Sequence, residues 1–127
     1  MLNALLRNRR LWEAPLLDLW SIPHFISGSL IAYCVFYLDI SVWLGLGLSI
    51  VIAIAWELFE IATNISAVEH KINGASDLVL AQLGYGAGFW LFSAYPALAL
   101  GIVSCLALVF VAMCALGWAS HHWYGKK

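Results

Sequence analysis

An all-α integral membrane protein, a four-helix bundle behind an N-terminal interfacial helix, is the fold these residues predict. Three observations predict it. The 127-residue chain is 64% hydrophobic and 10% charged, with a mean hydropathy of +0.91. A soluble domain of this size needs far more charge to cover its surface. The apolar runs are also continuous, each near the roughly 20 residues that cross a bilayer as a helix. They do not alternate in polarity, which argues against a β-barrel. Nothing is left over for a separate soluble domain, so residues 1–127 are expected to form one membrane domain.

Residues 1–19 are short, mixed and basic, with leucine and tryptophan between Arg7, Arg9 and Arg10. Such a segment lies in the membrane interface as an amphipathic helix, broken near Pro15. A partner-binding arm is the rival reading. No short apolar core with a small-residue cleavage site follows it, so no cleaved signal is expected. The spans are expected over residues 22–38, 41–64, 75–95 and 97–120. Pro23 suits the first turn of the first span. Ser76 and Asp77 can cap the third. Pro96 separates the third from the fourth.

Four spans place Arg7, Arg9, Arg10, Lys71, Lys126 and Lys127 on one side, with Asp39 on the other. That asymmetry predicts both termini in the cytoplasm, here of a bacterial plasma membrane. Tyr37, Trp43, Trp90 and Tyr95 then sit at the outer interface. Trp20, Trp56, Trp118 and Trp123 sit at the inner one, as amphipathic rings do. No basic patch is large enough for nucleic acid. Cys34, Cys105 and Cys114 stand apart in apolar surroundings and read as small core residues.

Against this background the polar residues are conspicuous. Glu57 follows the fourteen-residue apolar run Val42 to Ala55 and then Trp56, and ionisable groups at such depth are costly. Glu57, Glu60 and Asn64 are spaced i, i+3, i+7 and share a helix face. Glu57 lies about 10 Å below the end of the second span by the helical rise. His24 in the first turn of the first span and Asp77 at the start of the third reach the same cytoplasmic depth. His24, Glu57, Glu60, Asn64 and Asp77 are therefore the candidate ligand-binding residues. Taken singly, each has a plainer reading: Glu60 snorkels, Asp77 caps a helix, His24 satisfies a carbonyl. Two carboxylates in one site would raise at least one pKa or trap a cation between them. If a metal binds, its ligands come from His24, Glu57, Glu60 and Asp77. The Glu-x-x-His pair of di-iron bundles is absent. No cofactor is specified.

Asp77, Ala81, Gly84 and Gly88 form a smooth face on the third span, ending in Gly-x-x-x-Gly. Small residues let a second helix approach closely. The expected partner is the second span, bringing Asp77 near Glu60 and Asn64; homodimerisation is the other use. Gln82 and Tyr85 beside this face are placed to hydrogen-bond across the bundle. The fourth span, almost without polar residues, reads as scaffold and lipid-facing surface.

Between His24 and Gly88 the pattern resembles the VanZ-like group of small membrane proteins. His24 matches the early histidine, Glu57 with Glu60 the acidic residue after an apolar run, and Asp77 with Gly84 and Gly88 the Asp that opens a glycine-containing span. The chain departs from that pattern at Ala81, where the family commonly has asparagine. It departs again before Asp77, where only Lys71 stands in for an arginine. The resemblance implies an envelope or lipid-associated role and names no reaction.

Three functions are weighed. The first is a non-catalytic membrane protein whose acidic and histidine pocket takes a lipid headgroup, a cation or a proton. The second is an accessory subunit of a larger membrane assembly of the electron-transfer or light-harvesting type. The third is a metal-dependent intramembrane enzyme, which no Ser-His pair, His-Glu-x-x-His motif or phosphate loop supports. Expected partners are membrane lipids, other integral membrane subunits or a second copy.

Overall fold

The computed structural model describes residues 17–63 and 71–124, with side chains over 17–63 and 73–120. Every regular element among them is helical: α1 (Ser21–Tyr37), α2 (Val42–Thr63), α3 (Lys71–Ala94) and α4 (Ala99–Tyr124), with a 3-10 turn at Pro96–Leu98. The interfacial segment is outside the described residues as far as residue 16. So are Asn64, Glu69 and His70, the side chain of Lys71, and the side chains of the tail from His121 onward.

Asp18 and Ser21 close off the start of α1. Ser21 N–H donates to Asp18 Oδ1 at 3.0 Å, and Asp18 N–H donates to Ser21 Oγ at 3.2 Å. This is the reciprocal logic of a capping box. At the far end, Leu38 N–H reaches Cys34 O and Ile40 N–H reaches Val35 O, each at 3.0 Å. Asp39 makes the turn with φ of 52°, a left-handed conformation that aspartate tolerates better than most residues. Gly45 N–H then donates to Ser41 O and starts α2.

The third helix starts earlier than its sequence pattern suggested. Asp77 stands in the second turn of α3, not at its N-cap. Nothing upstream breaks the helix, because one interior glycine costs only about 1 kcal/mol. Gly74 lets Glu57 come close: a Cβ there would lie 2.7 Å from Glu57 Oε2, at the tip of a side chain that can shift.

The partner of the small-residue face differs as well. Asp77, Ala81, Gly84 and Gly88 seat α3 on α1, not on α2 or on a second copy. A Cβ at Gly84 would overlap the carbonyl oxygen of Phe25. One at Gly28 would overlap that of Ala81, and one at Gly88 would lie 2.8 Å from Ser29 Cα. The reason is complementarity. Helix α1 buries small residues of its own, Ser21, Gly28, Ser29 and Ala32, so the two backbones interlock. Ser29 Oγ donates to the Gly84 carbonyl at 2.9 Å across this contact.

Helix α2 buries its own row of small residues, Gly45, Ser49 and Ala53, four apart. It lies against α3 and more lightly against α1, and α4 lies against α1. At the end away from Glu57, Val35, Tyr85 and Phe92 form the apolar core with Ala32 and Ala99. Tyr33 meets Phe92 edge-on at 5.3 Å. Tyr85 Oη donates to Val42 O at 2.8 Å, so Tyr85 does bond across helices. Gln82 does not: both polar atoms of its amide are buried without a hydrogen-bond partner, as is Ser49 Oγ.

Among the described residues two stretches are long and apolar enough to cross a membrane, Val42–Thr63 (mean hydropathy 2.0) and Pro96–Ser120 (2.7). Helix α1 is apolar but has 17 residues, about 25 Å at the helical rise. Helix α3 is long, but Lys71, Asn73, Asp77 and Gln82 lower its apolarity. Both qualifying helices turn bare hydrocarbon outward, with Val51 63% and Leu108 73% exposed.

Candidate metal centre

The site forms where α1 begins, α2 nears its end and α3 begins. The start of α1 supplies Asp18, Ser21 and His24. Because Asp18 and Ser21 lock the first turn, the Ser21 hydroxyl is held facing α3 and donates to Asp77 Oδ1 at 2.9 Å. On α3, Asn73 and Asp77 stand four residues apart on one face. Asn73 Nδ2 donates to Asp77 Oδ2 at 3.1 Å and to Asp18 Oδ2 at 3.3 Å. One amide thus ties two carboxylates, and both Asp77 oxygens are oriented. Asn73 is fully buried and Asp77 is 2% exposed.

His24 and Glu57 complete the arrangement. His24 is buried, with Nε2 3.8 Å from Asp77 Oδ2. That is too long for a hydrogen bond. It is close to the spacing of two donors around one ion: adjacent ligands of a tetrahedral site with bonds near 2.1 Å stand about 3.4 Å apart. Glu57 is half-buried and reaches across to Gly74. One ligand atom each from His24, Glu57 and Asp77 lie within 4.8 Å of one another. No other group of three or more metal-ligating side chains converges in this way among the described residues.

Comparison with family models, with curated proteins and with solved structures gave no match.

Of the five residues singled out from the sequence, the structure brings His24, Glu57 and Asp77 together. Glu60 is buried, but its carboxylate accepts the Trp56 indole N–H at 2.6 Å and is not in the converging group. Asn64 is outside the described residues. Three contributors were not singled out as site residues: Asp18, Ser21 and Asn73. Two signals pointed to them, Asp-x-x-Ser ahead of an apolar run and the i, i+4 pair of Asn73 with Asp77.

Burial pushes the Asp18 carboxyl up to about 6, and the charge of Asp77 adds to the rise; hydrogen bonds from Ser21, Trp20 and Asn73 oppose it. The sign follows from linkage. A folded-state pKa above the unfolded value of 3.8 gives stability that is complete below pH 3.8 and lost as pH rises through about 6. We therefore expect Asp18→Asn, which keeps an acceptor for Ser21 N–H, to flatten the stability profile between pH 4 and 6.5. Unfolding temperatures in detergent across that range check it, and a slope unchanged from the parent would refute it.

Proposed function

We propose that this chain is an integral membrane protein that binds a divalent cation through His24, Glu57 and Asp77, at the cytoplasmic end of its bundle. One observation carries the reading: three different helices deliver one nitrogen and two carboxylate oxygens to within 4.8 Å. An imidazole with two carboxylates suits a first-row transition metal or zinc better than calcium, which prefers oxygen alone. Asn73 and Ser21 hold Asp77 by both oxygens, the outer support that metal ligands require. Three protein ligands leave at least one coordination position for water or an exogenous oxygen.

The membrane setting rests on the two long apolar helices and on the distribution of basic residues, which favours cytoplasmic termini. The VanZ-like resemblance fits the same reading. His24, Glu57 with Glu60, and Asp77 carry it, and all but Glu60 belong to the proposed site; Gly84 and Gly88 carry it too and seat α3 on α1.

The test is direct titration of the purified, chelator-stripped protein with zinc and with manganese by calorimetry, followed by thermal unfolding. We expect one cation per chain. Saturation to a hundred times Kd should stabilise the fold by about 2.7 kcal/mol. Absence of binding by either ion overturns the proposal.

A further inference from the structure

A cavity of about 150 Å³ lies beside the metal-ligand cluster, between α1, α2 and α4. Trp20, just ahead of α1, lines it with Pro23 and His24 of α1, Ala53 and Trp56 of α2, and Cys114 of α4. Its walls are almost entirely apolar, and His24 is the exception that matters. The same imidazole whose Nε2 stands 3.8 Å from Asp77 Oδ2 also forms part of the cavity wall. The polar site and the apolar space therefore meet at one side chain.

The packing of the helices decides where the cavity opens. Both α2 and α4 lie on α1, yet they barely touch each other. Helix α1 is thus the floor, and the gap between α2 and α4 is the mouth. Apolar side chains of the lining stand beside that gap, with Ile52 50% and Trp56 39% exposed. In a bilayer such a mouth faces lipid chains, not water. An apolar space of this size admits roughly six carbon atoms, as a similar cavity admits benzene. A longer chain would continue through the mouth into the membrane.

We propose that the cavity seats the end of a hydrocarbon chain nearest its head, and that an anionic head oxygen completes the coordination of the cation on His24, Glu57 and Asp77. The ligand class is an anionic amphiphile, and the inference rests on the cation reading above. The charge of the head follows from the site: a bound dication with an open position attracts a phosphate or carboxylate oxygen and repels an ammonium. Selectivity resides in that head. A chain leaving lipid for this cavity gains little, because lipid tails are as apolar as its walls. The ion supplies the attraction, and the cavity supplies the room without which the head cannot reach the ion, so filling it blocks binding.

The experiment uses the full chain in maltoside micelles, with and without zinc. The probe is dodecyl phosphate brominated on its chain, which quenches Trp20 and Trp56 when seated; brominated dodecanoate and brominated dodecyltrimethylammonium are run beside it. We expect zinc to raise the affinity for dodecyl phosphate, dodecanoate or both at least tenfold. The tighter of the two distinguishes a lipid phosphate from a fatty acid. Cys114→Phe on α4 and Ser27→Leu on α1, where Ser27 also lines the cavity, fill it. Each should weaken amphiphile binding at least tenfold while leaving zinc affinity unchanged, and either variant suffices should the other misfold. Affinity that ignores zinc, survives both filled variants or favours the ammonium probe overturns the inference and leaves the cation site standing. Failure of zinc itself to bind defeats the cation site, and this inference with it.

Discussion

Replacement of Gly84 by valine is expected to abolish the folded monomer. A Cβ at this position overlaps the carbonyl oxygen of Phe25, and a backbone atom inside a helix cannot swing aside as a side chain can. The helices must separate, and Gly28 facing Ala81 repeats the constraint 56 residues away along the chain. Separation also breaks the Ser29 bond to the Gly84 carbonyl and the Ser21 bond to Asp77, so damage to packing spreads to the site. The loss should be about 3 kcal/mol or more, at the top of the range for overpacked interiors. Gly86→Val and Gly101→Val are the controls, since a Cβ at either meets nothing within 4 Å. Size-exclusion profiles and unfolding temperatures in detergent decide the matter. A Gly84→Val protein as stable as Gly86→Val would mean that α1 and α3 do not interlock.

The same glycines show how far the sequence could be read. Their spacing announced a close helix contact but not its partner. Spacing on one helix describes one surface only, and the matching row on α1 is broken by the larger Phe25 and Ile26. The helix boundaries were legible wherever a chemical stop exists, at Pro96 and at the Asp39 turn. The start of α3 was not, because Asp77 has the composition of a cap and stands instead in the helix interior, held by Ser21 and Asn73. His24, Glu57 and Asp77 stood out because ionisable groups are rare in these runs. Glu60 stood out equally and went elsewhere. Helical periodicity puts Glu57 and Glu60 on one face, but the Trp56 indole one turn before Glu60 captures its carboxylate. Asn73 was hidden by its type: an amide near a helix start reads as turn chemistry until its two carboxylate partners are seen.

Asp77→Asn is expected to lower cation affinity at least a hundredfold, which corresponds to about 2.7 kcal/mol. Two losses combine in that number. The substitution removes a formal charge from the ligand set. It also replaces one acceptor oxygen by an amide donor, although both Asp77 oxygens now accept, one from Ser21 and the other from Asn73. Turned toward Asn73, the new NH2 meets another donor; turned toward Ser21, it makes that hydroxyl accept and give up its bond to this position, so in either orientation one of the two bonds that now fix the ligand is lost. Asn73→Ala removes only the outer support and should cost about tenfold, the lower end of what such partners contribute. Glu60→Gln should leave affinity unchanged, because Glu60 is engaged by Trp56. Calorimetric titration of zinc into the three variants gives the ranking. Should Glu60→Gln weaken binding as much as Asp77→Asn, the ion would sit against Glu60, and the grouping of His24, Glu57 and Asp77 would not be the site.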